Sequence, residues 1–453
     1  MKDVLWSSDF EEVVAPMKQT EAIDEALRCY YCYDAPCIKA CPTAIDIPVF
    51  IKQIATGHVS GAARTILDAN PLGATCARIC PTEALCEGDC VRGKDSRPVA
   101  IGRLQRVATD YAMSHGVPDL AAMDSPKNQR VAVVGAGPAG LGAAYVLTRL
   151  GYQVEVFDRH SAGGGLDTYG IVSFREPVAV SLWEVNWLTD MGVKFHYNTT
   201  VGHDILWKNM QNDFDALVVA VGLGKVPYLG IDGEDLPGVF DALDLIEASK
   251  IMPRDDLRMG GTVAVIGAGN TAVDAATLAK RLGAERVVII YRRGEEAMPA
   301  YRYEFEFAKS EGIEYRWWTR PLAIKGTDRV EALELVKTRP DSTDPRDRQA
   351  SIQDVPDSQY TMSVSAVIRA VGQGKQDLMW NQLGIDHQGG RVAIHPETFE
   401  TTVPGVYVIG DALARNGEAT VVQAVADGKQ CALAVHTRLQ TKREETQDGG
   451  FIG

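Results

Sequence analysis

A chain of 453 residues exceeds one ordinary core and implies two or three domains. Its 45% hydrophobic and 23% charged residues describe a globular protein, and a formal net charge of −14 excludes the basic face that a nucleic-acid partner needs. The opening residues MKDVLWSSDFEE hold no apolar core of the signal-peptide kind and glycines interrupt the longest apolar runs, so a cytoplasmic protein with no membrane partner is expected.

Residues 1–28 form an acidic entry segment, in which EAIDEALR has helical character. Next comes CYYCYDAPCIKACP, with Cys29, Cys32, Cys37 and Cys41-Pro42, and later CARICPTEALCEGDC, with Cys76, Cys80-Pro81, Cys86 and Cys90. Eight of the nine cysteines therefore lie between Cys29 and Cys90. In a cytosolic chain this points to metal rather than disulfides. The spacings and the two prolines suit two cubane [4Fe-4S] clusters, in which the last cysteine of each run can serve the other cluster. Structural zinc is the alternative, but it favours paired C-x-x-C knuckles; unliganded thiols are the remaining one. Between the two groups, IPVFIKQIATGHVSGAARTILDAN reads as two helices, with His58 a surface or packing residue rather than a ligand. Residues Pro98–Met113 read as an amphipathic helix, and Asp119–Arg130 as a linker.

The stretch VAVVGAGPAGLGAAYVLTRLGYQVEVFD then combines a strand, a glycine turn, a helix and a second strand ending at Asp158. Gly135 permits the tight turn, Gly137 lets backbone approach a pyrophosphate, and Gly140 lets helix and strand close up. With Pro138 and Ala139 they open the helix whose free N–H groups face the phosphates, while Asp158 is placed to accept a ribose hydroxyl. Gly163, Gly164, Gly165 and Leu166 form a turn suited to wrapping a flavin. Arg175 is a candidate contact, with an exposed loop arginine as the plain alternative. Trp183 and Trp187, one helical turn apart, read as core, and DALVVAVG reads as a buried strand.

A second fingerprint follows in GTVAVIGAGNTAVDAATLAKRLGAERVVIIYRR. Gly267 and Gly269 repeat the turn, Asn270 and Thr271 open the helix, and Ala272 replaces the third glycine, which this fingerprint permits. Its second strand ends in Arg292 and Arg293 rather than an acid. Two guanidinium forks suit a 2′-phosphate and so favour NADPH over NADH. Alternatively they are solvated arginines paired with Glu295 and Glu296. TRPDSTDPRDRQ reads as a hairpin loop, and VSAVIRAVG echoes DALVVAVG as though the chain enters and leaves an inserted domain. In VPGVYVIGDA, Gly410 and Asp411 end a strand, with Asp411 placed to meet a ribityl hydroxyl. A helix then starts near Thr420 and Val421, its N-terminus toward the flavin. From Thr441 on, the tail is polar and expected to be flexible or to dock on a partner. No cysteine lies between Cys90 and Cys431, so nothing supplies the dithiol that a flavin disulfide reductase needs.

Taken together, CxxCxxxxCxxxCP, CPTxxLCxxxC, GAGPAG, GGL, GAGNTAVD with YRR, and VIGDA resemble the small subunit of bacterial glutamate synthase. They are still more similar to the electron-entry portion of dihydropyrimidine dehydrogenase and its separate bacterial subunit, through RCYYCYDAPCIKACPTAIDI, LGATCARICPTEALCEGDCV, AIGRLQRVATD and SFREP. The likeness spans residues 25–440 or so. It implies that Cys29, Cys32, Cys37 and Cys90 hold one cluster, and Cys41, Cys80, Cys86 and Gln105 the other. Counting thiolates alone would choose Cys76 in place of Gln105. The resemblance also implies flavin contacts along Asp158–Leu166, Arg175 and Gly410–Val421, and nicotinamide-nucleotide contacts at Gly269–Ala272, Arg292 and Arg293.

The expected fold class is α/β: an N-terminal α-helical iron–sulfur domain (1–125), then two Rossmann-like domains. The FAD-binding domain takes 126–224 and 373–440, the NAD(P)H-binding domain (225–372) is inserted in it, and 441–453 form the tail. The resemblance implies an electron-entry subunit that passes electrons from NAD(P)H through FAD and two clusters to an FMN- and iron–sulfur-containing partner reducing uracil or thymine. A glutamate synthase large subunit or another acceptor is the alternative. No FMN-binding barrel, pyrimidine-site cysteine loop or further ferredoxin-like cluster pair is expected in this chain, and no catalytic acid or base is assigned.

Overall fold

The computed structural model describes residues 10–120, 123–342, 344, 346–413 and 419–448, with side chains described as far as 441. The chain divides into two compact units. One comprises 12–168, 175–223 and 375–453, the other 1–11, 169–174 and 224–374.

The larger unit begins with helices α1 (Gln19–Ala26), α2 (Pro36–Lys39), α3 (Ile47–Ala55), α4 (Val59–Ala69), α5 (Gly73–Ile79) and α6 (Ile101–His115). Asp46 caps α3 by accepting from Val49 N at 3.2 Å, and Pro48 occupies its first turn, where a missing N–H costs nothing. Phe50, Ile51, Ile66, Leu67 and Leu104 are fully buried between these helices, so the thiol loops hang on a packed core of their own.

The same unit continues with β1 (Arg130–Val134), α7 (Pro138–Arg149), β2 (Gln153–Phe157), α8 (Leu166–Tyr169), α9 (Val178–Asp190), β3 (Lys194–His196), α10 (Trp207–Asp213) and β4 (Ala216–Val219). The first two strands sit side by side in parallel, with β4 parallel to β1 on its opposite edge. Val131, Val133 and Val218 are fully buried, as expected of a parallel sheet covered on both faces.

In the smaller unit, β5 (Val239–Asp241), α11 (Ala242–Ile251), β6 (Thr262–Ile266), α12 (Asn270–Arg281), β7 (Arg286–Ile290), α13 (Arg302–Ser310) and β8 (Glu314–Arg316) lead to an antiparallel section. That section holds β9 (Thr319–Lys325), β10 (Ala332–Pro340), β11 (Ile352–Asp354) and β12 (Tyr360–Ser363), after which β13 (Ala366–Arg369) returns to the parallel sheet. The parallel order is β5-β13-β6-β7-β8. TRPDSTDPRDRQ does bridge an antiparallel pair, β10 with β11. Back in the larger unit come α14 (Asp377–Leu383), the short pair β14 (His387–Gln388) and β15 (Arg391–Val392), β16 (Val406–Val408) and α15 (Val421–Asp448). Its sheet order is β16-β4-β1-β2-β3.

The two sheets repeat one device. In each, the strand after the fingerprint lies on one side of the fingerprint strand and the returning strand on the other, which opens a crevice at their carboxyl ends. A Cβ on Gly135 (φ +105°) would fall 2.4 Å from Ala220 O, and one on Gly267 (φ +129°) would fall 2.1 Å from Ala370 O. Only glycine fits either turn.

Two boundaries differ from the sequence expectation. Residues 169–174 belong to the smaller unit, where the Phe174 ring meets Phe10 edge-on at 5.9 Å and lies under the Arg281 guanidinium at 4.1 Å. The helix expected to give way to a flexible tail at 441 continues to Asp448, since TKREETQD is composed largely of good helix formers. Residues 449–453 lie outside the described residues.

Candidate functional site

Three groups of residues are candidates, two in the larger unit and one in the smaller. The thiols come first. Cys29, Cys32, Cys37 and Cys90 wall a single pocket, together with Tyr30, Ile47, Ile51 and Ile101. Glu25 on α1 accepts from Ala100 N at 2.9 Å and Arg97 Nη1 at 3.0 Å and so ties α1 to the chain leading from Cys90 into α6. Burial pushes the Cys37 thiol up to about 12, with the neighbouring Cys29 and Cys90 adding like charge. Burial likewise raises Cys29, and it raises Cys86, whose neighbours include Glu87, Cys41 and Cys37. Crowded thiols in an apolar setting do not ionise together unless a cationic core lies among them, which is what an iron–sulfur cluster supplies. Among the described residues no three His, Cys, Asp or Glu side chains close on one point as they would round a single bare ion. A pocket walled by four thiols offers the donor set that an iron–sulfur cluster takes.

Two residues are candidates for the eighth ligand that a two-cluster reading expects. Cys76 on α5 is buried, accepts from Asn70 Nδ2 at 3.2 Å, and has its thiol raised chiefly by hydrogen bonding with Cys80. Gln105 on α6 is also buried, and its Nε2 donates to Gly73 O at 2.7 Å. That bond fixes the amide and leaves its carbonyl oxygen as the end with lone pairs to offer a metal.

The second group is the flavin-type crevice in the same unit. Gly137 stands immediately before α7, with Pro138 at its first position and Ala139 and Gly140 in its first turn. A Cβ on Gly165 would come 2.7 Å from Gly137 Cα, so the Gly164–Gly165 turn lies directly against the fingerprint. Gly164 N donates to Ala136 O at 2.7 Å, and Leu166, 40% exposed, starts α8 beyond it. Asp158 is nearly buried. Its Oδ2 accepts from Ala136 N at 2.7 Å and its Oδ1 from His160 N at 2.8 Å. Although burial raises its pKa, the His160 and Ala136 hydrogen bonds hold the carboxyl below the usual range. It stays an anion with spare lone pairs, which suits it to accept hydroxyl hydrogens. Arg175 is half-buried and engaged with neighbours.

On the far side of this crevice, Gly410 (φ +64°) packs so that a Cβ would fall 2.7 Å from Ala139 Cβ. Burial, with the Asp427 charge second, pushes the next residue, Asp411, up to about 6. Thr420 caps α15, its Oγ1 accepting from Gln423 N at 3.2 Å, and Val421 is the first residue of that helix. Residues 414–418 of the expected Gly410–Val421 contact lie outside the described residues. Helices α7 and α15 meet backbone to backbone: a Cβ on Gly428 would lie 2.1 Å from Ala139 O, and one on Gly142 2.7 Å from Val425 O.

The third group is the second fingerprint. Gly269 precedes α12, and Asn270, Thr271 and Ala272 form its first turn; the Asn270 side chain accepts from Tyr301 N at 3.1 Å. Here the structure separates a pair that the sequence placed together. Arg293 is buried, and its Nη2 donates to Arg348 O at 2.7 Å and Ala350 O at 2.8 Å, so it pins the β10–β11 loop. Of the two guanidiniums only that of Arg292 is exposed at the end of β7. Sequence reading paired both through the strand-end pattern alone, and the loop that captures Arg293 lies more than fifty residues further on. The alternative partner Glu295 is taken by Arg302 at 2.8 Å.

Three groups near these sites carried no signal in the sequence: Thr75, Glu184 and Lys429. Glu184 sits on α9 between Trp183 and Trp187. There it accepts from Ala74 N at 2.7 Å and from Thr75 N at 3.0 Å, and its Oε2 lies 2.6 Å from the Thr75 hydroxyl, which also meets Glu176. No feature of SLWEVNW marks that glutamate as buried.

Residues 6–117 match the family "Dihydropyrimidine dehydrogenase domain II, 4Fe-4S cluster", and residues 129–428 match "Pyridine nucleotide-disulphide oxidoreductase". The chain is 34% identical over 443 residues to the glutamate synthase [NADPH] small chain of Escherichia coli K12, covering 94% of this chain and 93% of that one. It is 32% identical over 436 residues to the NAD-dependent dihydropyrimidine dehydrogenase subunit PreT of the same organism, covering 95% and 97%. Among solved structures, FprA of Mycobacterium tuberculosis in complex with NADPH shares the fold at a TM-score of 0.57 and 19% identity, over 71% of this chain and 86% of that one. Thioredoxin reductase of T. acidophilum does so at 0.53 and 20%, over 69% and 99%. Unlike a dithiol reductase, this chain has no cysteine between Cys90 and Cys431. The chain is an NAD(P)H-dependent flavin and iron–sulfur oxidoreductase, and it belongs to the pyridine nucleotide-disulphide oxidoreductase family, in the superfamily shared by glutamate synthase small chains and the PreT dihydropyrimidine dehydrogenase subunits.

Proposed function

We propose that this chain is the electron-entry subunit of a dihydropyrimidine dehydrogenase, taking electrons from NAD(P)H and delivering them through two [4Fe-4S] clusters to a partner subunit that carries FMN and reduces uracil or thymine. The observation that carries the relay is the four-thiol pocket of Cys29, Cys32, Cys37 and Cys90, built into the same compact unit as the flavin fingerprint. FAD, when bound, supplies the exchange between a two-electron donor and one-electron acceptors.

The residues themselves bind and orient. Gly135, Gly137, Pro138, Ala139 and Gly140 present the α7 N-terminus to the flavin pyrophosphate, Asp158 accepts a ribose hydroxyl, and Gly164, Gly165, Leu166 and Arg175 close one side. Gly410, Asp411, Thr420 and Val421 close the other. In the inserted domain, Gly267, Gly269, Asn270, Thr271 and Ala272 hold the nicotinamide nucleotide, and Arg292 reads a 2′-phosphate. Cys41, Cys80, Cys86 and Gln105 hold the second cluster, leaving Cys76 a packed thiol. No side chain is required to exchange a proton with a metabolite.

A second reading keeps the relay and changes the acceptor to a glutamate synthase large subunit. The exposed Arg292 favours it, because the glutamate synthase relatives are named for NADPH and the PreT relatives for NAD. Anaerobic purification of the complex with its natural partner decides between them. Reduction of uracil supports the pyrimidine assignment; conversion of 2-oxoglutarate with glutamine in its place overturns it.

A further inference from the structure

Helix α15 begins beside the flavin-type turn and carries Lys429 two turns further on, roughly 12 Å along its axis at about 1.5 Å per residue. There Lys429 leaves the flavin layer. Its Nζ donates to Thr43 O at 3.2 Å and also to Ala69 O. Both acceptors belong to the chain that presents the second thiol set. Thr43 stands two residues past Cys41, with its hydroxyl 3.3 Å from Cys41 Sγ. Ala69 ends α4, and its neighbour Asn70 donates to Cys76 Sγ. Burial lowers the Lys429 pKa and the charge of Cys41 opposes that change. The other charges nearby, Asp68 and Arg149, are 2.8 Å apart and neutralise each other. One ammonium is thus held at the seam between the flavin helix and the Cys41 loop.

We infer that Lys429 is a redox-tuning and positioning residue: its fixed positive charge makes the cluster ligated by Cys41 easier to reduce. This rests on the two-cluster reading above. The physical basis is simple. Reducing a cluster adds one electron and so one negative charge, and a cation in a low-dielectric surrounding stabilises the added charge far more than one in water. Cluster potentials respond to net charge, to hydrogen bonds on the sulfurs and to exposure, and Lys429 acts through the first of these. The electron comes from the reduced flavin and no proton moves.

The test is an anaerobic redox titration of the holoprotein, followed by electron paramagnetic resonance, for wild type, Lys429→Met, Lys429→Gln and Lys429→Arg. In the two neutral variants one cluster transition should move to more negative potential while the other stays. Lys429→Arg should restore it. Should Lys429→Met fail to load iron, Lys429→Gln still offers the carbonyls a donor and gives the reading without the charge. Two unmoved transitions in a neutral variant with full iron overturn the inference, as does loss of iron in both neutral variants, which would make Lys429 a structural tie. Wild-type protein with one cluster's iron instead of about eight atoms would sink the two-cluster reading itself, a separate result.

Discussion

The Thr75 hydroxyl lies 2.6 Å from Glu184 Oε2, joining α5, which bears Cys76, to α9 of the flavin-binding layer. Thr75 also reaches Glu176, and one hydroxyl has one hydrogen. It cannot donate to both carboxylates, so one acid keeps its proton and donates in return. Burial, with the Glu176 charge behind it, pushes Glu184 up to about 8, which makes Glu184 that acid.

The folded pKa stands above the ordinary 4.5, so the contribution of Glu184 to stability is complete below that value and is lost as pH rises to about 8. Glu184→Gln supplies the same donor and acceptors without titrating. It should match wild type near pH 5 and melt at higher temperature than wild type at pH 8–9. Thr75→Val removes the hydroxyl that both buried carboxyls meet and should cost roughly 1–3 kcal/mol. Thermal unfolding across this pH range checks both; a Glu184→Gln difference that stays flat with pH contradicts the assignment.

Asp411 is a second buried acid, pushed up to about 6 from 3.8 by burial and then by Asp427. In apo-protein its ionisation opposes folding, and this cost develops as pH rises from about 4 to 6. Asp411→Asn should therefore stabilise apo-protein at pH 7.5 by roughly 3 kcal/mol and have little effect at pH 4. The same substitution should weaken FAD binding, because the ribityl hydroxyl loses a charged acceptor. Melting with and without added FAD separates the two effects.

The arginines at the end of β7 should behave differently. Arg292→Ala should raise the KM for NADPH by roughly 10- to 100-fold, the worth of one charge-assisted contact, and leave NADH use unchanged. Arg293→Ala should instead release the β10–β11 loop from Arg348 O and Ala350 O, lowering the melting temperature with little preference between the two nucleotides. Equal selectivity losses in both variants would restore the paired reading.

The eighth ligand separates by substitution. If Gln105 completes the second cluster, Gln105→Leu should cost about half of the iron and Cys76→Ser should retain all of it. The reverse pattern makes Cys76 the ligand.

Local patterns carried most of the fold. Glycine turns flanked by short valine-rich strands located both crevices, because the steric demand at Gly135 and Gly267 is a backbone property visible in spacing. The thiol runs were equally legible. What escaped depends on partners far away in sequence: Thr75 and Glu184 are 109 residues apart, and Thr43 and Lys429 are 386. A buried glutamate between two tryptophans, or a lysine in a polar-looking helix, looks solvated until its partners are in place. The capture of Arg293 by its loop was hidden for the same reason.

Anaerobically purified chain, assayed for flavin and iron and then titrated with NADPH in the absence of any metabolite or partner, bears most directly on the relay. One FAD and about eight irons per chain, with flavin colour bleached and cluster signals appearing on NADPH addition, is the expected result. Zinc in the thiol sites, or flavin that bleaches while the clusters stay oxidised, would contradict it.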